Sequence, residues 1–237
     1  MTAARVPGED GLIERVPFLA RLEKQDRSAL LALGREMTFQ AHSTLLHQHE
    51  PSHHVLLVQE GWTKVTGASA GGYEALLALR GPGDIVGEHA ALNGQTRSAT
   101  VVALEPVRAV AVTHARFMDF LRRSSAVGLA LAALTSDRRA AADERSLKFA
   151  SMSVKERLAL LLLELARTPH GRRTDKGVEL VLPLSKEELA RAVGASREMV
   201  QRLLKELRER DVVITGRRSL LITRPDVLRR IARAQHP

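Results

Sequence analysis

The residues best suited to chemistry fall in two places. In the first, Gly81-Pro82-Gly83-Asp84-Ile85-Val86-Gly87-Glu88-His89-Ala90-Ala91-Leu92 is followed closely by Arg97-Ser98-Ala99-Thr100. The glycines do not make a dinucleotide fingerprint, because the third stands one residue too far along, and there is no P-loop lysine. What the stretch offers is a short helix whose first amides can face an anion, and an arginine nine residues after a glutamate. Arg97 can clamp a phosphate oxyanion with charge assistance, and Glu88 can accept from a sugar hydroxyl. One monoanionic phosphate with one hydroxyl describes a cyclic nucleotide. A buried Arg–Glu pair that merely braces a barrel would use the same two residues.

The second place is residues 185–207. Ser185 with Glu188 has capping-box spacing, and Gly194 stands where a helix would close through a left-handed residue. Ser196 can cap a second helix running from Arg197 to about Arg208. Ala190, Gly194 and Val200 have helix-turn-helix spacing: a small residue for close approach, a glycine for the turn, and an apolar residue to fill the angle. That helix would bury Val200, Leu203, Leu204 and Leu207 and present Arg197, Glu198, Gln201 and Arg202. Arginine pairs bidentately with guanine, and a carboxylate accepts from the cytosine amino group. Val212 to Thr215 and Ser219 to Thr223 flank Gly216-Arg217-Arg218 as a hairpin, a wing whose arginines suit phosphate.

Charge supports this division. The chain carries 36 basic and 27 acidic residues, but residues 1–150 hold 17 against 16 and residues 151–237 hold 19 against 11. A near-neutral module joined to one carrying almost all the excess suggests contact with a polyanion. There is no cysteine among the 237 residues, which removes disulfide scaffolds, thiolate zinc, iron–sulfur clusters and cysteine nucleophiles. No nucleophile–base pair or HExxH motif suggests catalysis, so an enzyme is not expected. His42, His47, His49, His53 and His54 cluster, yet their spacings fit no metal motif, and we expect surface histidines. Unbroken apolar runs such as Leu158 to Leu163 are far short of a membrane span. With no signal-peptide pattern, a soluble cytoplasmic protein is expected.

The elements that must position these groups change texture along the chain. Residues 1–35 read as a leader with one or two short helices, Gly34 ending the last. Thr44–Leu46, His54–Val58, Trp62–Thr66, Glu74–Leu79, Arg97–Leu104 and Val107–Val112 read as strands separated by turn residues, the texture of a jelly roll or small barrel. Trp62, after Gly61, is expected to pack rather than stack on a ligand. Phe117–Leu121 is a short helix, and a long one runs from about Ala126 to Phe149. On it Val127, Leu131, Leu134, Ala141 and Arg145 fall near a heptad seam, apolar in its first half, which suggests a modest dimer contact. Ser153 with Glu156 has capping-box spacing and opens the next helix, Val154 to Arg167, and Val178–Leu182 alternates as a strand.

In this order, the strand-rich barrel, phosphate cassette, long helix and winged helix resemble the cyclic-AMP receptor protein/Fnr superfamily of bacterial transcription regulators. The resemblance runs from about Phe18 to Thr223. It is best at Ser43-Thr44-Leu45-Leu46-His47-Gln48, at Gly83 to Thr100, and at Val193-Gly194-Ala195-Ser196-Arg197-Glu198. It implies an α+β fold: a cyclic-nucleotide-binding β jelly roll (1–125), a long dimerisation helix with its hinge (126–152), and a winged helix-turn-helix domain (153–237). It implies a homodimer on a two-fold site in double-stranded DNA, RNA polymerase as a further partner, and no required cofactor beyond a cyclic nucleotide effector, cAMP or cGMP. By position, Gly87, Glu88, His89, Ala90, Arg97 and Ser98 belong to the ligand cassette, His89 replacing a small aliphatic residue. Ala142 and Asp143 stand where members gripping adenine carry threonine and serine. Asp143 could instead accept from guanine. Ser196, Arg197, Glu198, Gln201 and Arg202 would meet DNA, with Arg217 and Arg218 on the wing, and Met199 replaces a frequent threonine. Family turns like Gln48-His49-Glu50 carry glycine in the middle. Two alternatives stay open. One is a ligand-independent or metal-responsive regulator with a vestigial cassette. The other is a cyclic-nucleotide module whose basic domain meets protein or RNA.

Overall fold

The computed structural model describes residues 12, 13, 16–168, 170–181, 184–216 and 219–233. The chain divides into two compact units, Ile13–Ala142 and a second that begins at Asp143 and includes Leu12.

In the first unit a single 3-10 turn, Phe18–Arg21, precedes helix α1 (Lys24–Ala32) and eight strands. These are β1 (Arg35–Phe39), β2 (Thr44–Leu46), β3 (His54–Glu60), β4 (Thr63–Ala68), β5 (Glu74–Arg80), β6 (Ile85–Val86), β7 (Thr100–Ala103) and β8 (Val107–Thr113). A short helix α2 (Glu88–Asn93) separates β6 from β7, and α3 (His114–Arg123) follows β8. Two four-stranded antiparallel sheets, ordered β1-β8-β3-β6 and β2-β7-β4-β5, form the jelly roll.

The core explains why His54–Val58 reads as an unbroken apolar run. Leu56 and Val58 face the second sheet with Leu46, Val101 and Ala109, whereas Val55 and Leu57 face helices with Phe18, Leu30, Phe117 and Phe120. A strand covered on both faces has no polar side to show.

Three short strands were not foreseen. β1 lies at a sheet edge with four of its five residues exposed, so no apolar alternation marks it. β6 has two residues and exists only through its pairing with Leu56 and Leu57. The third, Gly171–Thr174, reads as a Gly/Arg-rich loop in sequence. The strand expected from Arg97 begins instead at Thr100, because Arg97 is turned inward from a loop. Gly34 stands just past the C-cap of α1, its N–H donating to Leu31 O at 3.2 Å, and it also serves close packing: a Cβ there would meet Val110 Cγ1 at 2.3 Å. Trp62 packs as expected, against Gly81.

Helix α4 (Ser125–Ser151) runs on past Ala142 into the residues of the second unit. Val127, Leu131 and Leu134, the apolar half of the expected dimer seam, are fully committed to the barrel's own core. That part of the seam reading is corrected, since the same spacing serves the helix's own domain first. The large apolar side chains left well exposed on α4 are Leu129, at 72%, and Leu147, at 69%.

The second unit adds α5 (Val154–Leu165), β9 (Gly171–Thr174), β10 (Gly177–Val181), α6 (Lys186–Val193), α7 (Arg197–Glu209), β11 (Val213–Thr215), β12 (Ser219–Ile222) and α8 (Pro225–Ala232). Its sheet order is β11-β12-β10-β9, all antiparallel. Capping boxes open both α5, at Ser153 with Glu156, and α6, at Ser185 with Glu188.

Candidate ligand cassette and nucleic-acid interface

The cassette is assembled by turns that the sequence encodes locally. After β5, Gly83 takes φ +88° and donates its N–H to Val58 O at 2.8 Å. The buried carboxylate of Asp84 accepts from the Gly81 N–H at 2.8 Å, closing the turn. Gly87, at φ +85°, is the N-cap of α2, and a Cβ there would lie 2.4 Å from Arg97 Nη1. Only glycine satisfies both the left-handed backbone and that approach.

Arg97 is 3% exposed and is held on all sides. It donates from Nη1 to Gly87 O at 2.9 Å and from Nη2 to His54 O at 2.5 Å. Its own N–H donates to Glu50 O at 2.9 Å, and its carbonyl accepts from the His49 N–H at 2.8 Å. His49 reaches that position with φ +72°, the conformation that the glycine of related turns would supply. Burial lowers the Arg97 pKa, opposed by the charges of Glu88 and Glu50. His54 is shifted down as well, first by burial and then by the positive charges of Arg97 and His53.

Glu88, 7% exposed, does not form its ion pair with Arg97. Its partner is Arg138 on α4, whose other terminal nitrogen donates to Ile85 O at 2.9 Å. Arg138 is the residue that sequence reasoning missed. Its signal was faint: an arginine one turn before Ala142 on a helix rich in charge. Gly87, Glu88, the buried Ala90 and Arg97 do come together, and Ser98 lies exposed beside Arg97. His89 is exposed and within 3.3 Å of Asn93 Nδ2. Ala142 and Asp143 are exposed on α4, the last residue of one unit and the first of the next. Among the described residues no group of three or more histidines and carboxylates is placed to hold a metal.

The nucleic-acid interface is equally local in origin. Ser185 Oγ accepts from the Glu188 N–H at 3.2 Å while Glu188 Oε2 accepts from the Ser185 N–H at 2.7 Å, and Gly194 closes α6 at φ +62°. Ser196 Oγ accepts from the Met199 N–H at 3.2 Å, fixing the start of α7. Ala190 and Val200 are buried where the two helices meet. Arg197, Glu198, Gln201 and Arg202 are exposed, whereas Val200, Leu203, Leu204 and Leu207 are buried. Gly216 N–H donates to Ser219 O at 2.9 Å across the β11–β12 turn; Arg217 and Arg218 lie outside the described residues.

The far end of α6 is clamped by cations, as its exposed carbonyls and dipole favour. Arg145 donates to Ala192 O at 3.0 Å and Arg157 to Val193 O at 2.9 Å. Between them sits Phe149, its ring centre 5.5 Å from the Arg145 guanidinium and 4.7 Å from that of Arg157. Phe149 fills the space above Gly194 that a side chain would need. Nearby, half-buried Glu164 accepts from the Leu12 N–H at 3.2 Å, and desolvation pushes its pKa up against that bond and the pull of Lys148, Arg145 and Arg167.

Residues 36–124 match the cyclic nucleotide-binding domain family and residues 156–231 the Crp-like helix-turn-helix domain family. The chain belongs to the Crp/Fnr superfamily. It is 28% identical to the cyclic AMP receptor protein of Thermus thermophilus, over 91% of this chain and 96% of that one. It is 25% identical to the cAMP-activated global transcriptional regulator Vfr of Pseudomonas aeruginosa, over 89% and 97%. Among solved structures it superposes on a CRP/FNR-family transcriptional regulator of Thermus thermophilus with a TM-score of 0.70, at 27% identity, covering 84% of this chain and 98% of that one. The fold also matches CLP of Xanthomonas campestris, described as responsive to c-di-GMP, with a TM-score of 0.77 at 20% identity, over 84% and 99%. The protein is therefore a transcription regulator of the Crp/Fnr type rather than an enzyme, with a cyclic nucleotide-binding domain and a helix-turn-helix domain. Among the described residues no helix is long and apolar enough to cross a membrane.

Proposed function

We propose that this regulator binds a two-fold DNA site as a cytoplasmic homodimer and that a cyclic nucleotide, cAMP or cGMP, in the barrel controls it. The observation that carries the reading is the meeting of Gly87, Glu88, Arg97 and Arg138 at one end of the jelly roll. Arg97 offers the charge for one phosphate, and Glu88 offers the acceptor for one hydroxyl. Glu88 is also tied to α4 through Arg138. A ligand hydroxyl on Glu88 competes with Arg138 and so biases the long helix, by no more than the ligand's differential affinity for the two states. Each protomer would present Arg197, Glu198, Gln201 and Arg202, with Ser196 and the wing arginines 217 and 218 on phosphate. Two-fold symmetry would place the recognition helices about 34–36 Å apart along the duplex. Leu129 and Leu147 suit the helix contact between protomers, and RNA polymerase would be the downstream partner.

Titration calorimetry with cAMP, cGMP and cyclic di-GMP tests the sensor. Micromolar binding of cAMP or cGMP, abolished by Arg97→Ala, supports it; silence from all three, or binding of cyclic di-GMP alone, sinks it. One observation favours a second reading. Both terminal nitrogens of Arg97 already bond backbone carbonyls, and Glu88 already has its ion pair, so the cassette is polar-satisfied without ligand. An effector-independent regulator would show the same DNA affinity with and without nucleotide.

A further inference from the structure

The exposed face of α7 carries a base reader whose target follows from helical phase. At about 100° per residue, Glu198 stands near the middle of that face, opposite buried Val200, Leu203, Leu204 and Leu207. Arg202 lies about 40° to one side and Gln201 about 60° to the other, between Glu198 and Arg197. The two neighbours are not equivalent. Arg202 Nη2 donates to Met199 Sδ at 2.9 Å, which draws the guanidinium away from the Gln201 side. Gln201 is exposed, and its amide makes no hydrogen bond among the described residues. It is rooted on a helix fixed by the Ser196 cap and by four buried apolar side chains, so its reach into a groove is defined.

The chemistry of a primary amide then selects the base. It carries one acceptor and one donor group side by side. In the major groove, adenine offers N7 as acceptor and N6–H as donor in the matching arrangement. Guanine offers two acceptors and suits arginine instead, while cytosine's amino group suits the Glu198 carboxylate. Gln201 lies about 4.5 Å further along the helix axis than Glu198, within reach of a neighbouring base pair. We propose that Gln201 reads an adenine in the major groove and so fixes an A·T pair in each half-site beside the pair read by Glu198. This rests on the DNA-binding reading above and adds to it one base of the operator.

The test is enrichment from a randomised duplex library by the full-length protein, with and without cAMP and cGMP, for wild type, Gln201→Ala and Gln201→Arg. The wild-type motif should hold one A·T pair per half-site whose preference vanishes in Gln201→Ala and turns to G·C in Gln201→Arg, other positions unchanged. In competition anisotropy on the enriched duplex, replacing that pair by G·C should weaken wild type about 10-fold or more and Gln201→Ala less than about 3-fold. An unaltered motif in both variants, or a lost preference falling on a G·C pair, overturns the assignment while leaving DNA binding intact. Failure of wild type to enrich any sequence overturns both.

Discussion

Replacing Gly194 by alanine should uncouple the recognition helix from its support, at a cost that can be worked out in parts. The residue sits at φ +62°, where an L side chain costs about 1–2 kcal/mol. The new Cβ would also lie 2.4 Å from Phe149 Cε1 and 3.1 Å from Cδ1. Carbon atoms in good contact sit about 3.5–4.0 Å apart, so the ring must withdraw by about an ångström. It cannot do so freely, because Arg145 and Arg157 bracket it and are themselves bonded to Ala192 O and Val193 O. Overpacking of this kind costs about 1–3 kcal/mol, giving about 2–5 kcal/mol for Gly194→Ala in total. Phe149→Ala alone loses two cation–π contacts of about 0.5–1 kcal/mol each. Combined, the two substitutions should be less damaging than their sum by about 1–3 kcal/mol, because the second removes the obstacle met by the first. Denaturant unfolding followed by helical circular dichroism reads both units together. The fluorescence of Trp62, the chain's single tryptophan, reads the barrel and should not move. Additivity within about 0.5 kcal/mol, or an equal shift of the tryptophan transition, would refute the reasoning.

Other outcomes follow from the same geometry. Arg138→Met removes the partner of Glu88 but not the phosphate-binding group, so nucleotide should still bind while DNA affinity stops responding to it. Anisotropy of labelled operator with and without nucleotide checks this, and a preserved response counts against Arg138 as the link. Arg197→Ala should cost about 1–3 kcal/mol at the enriched site and relax one base step, whereas an equal loss on random duplex would mark a phosphate contact. Glu164 has a folded pKa raised above its ordinary 4.5, chiefly by burial. The protonated form is the one favoured by folding, so its contribution is fully present below the ordinary value. It is lost as pH rises from there through the raised one. Denaturation midpoints measured across that range should fall for wild type and stay flatter for Glu164→Gln.

What the sequence determined by itself was whatever depends on neighbours a few residues apart. The capping boxes at Ser153 and Ser185, the left-handed Gly194, the cap at Ser196 and the buried stripe of α7 are all one-turn relations, and each formed where its spacing placed it. Tertiary structure alone decided which distant group answers which. Apolar spacing showed that Val127, Leu131 and Leu134 share a face, but a face carries no address, and it was the barrel that took it. Glu88 demanded a cation, and Arg97 was the one its own cassette offered. Arg138, 50 residues away, met it, because packing of α4 against the barrel brings that guanidinium to the buried carboxylate while Arg97 is already occupied by two carbonyl oxygens. β1 and β6 became strands for the same reason: backbone pairing to β8 and β3 satisfies groups whose side chains give no sign of it.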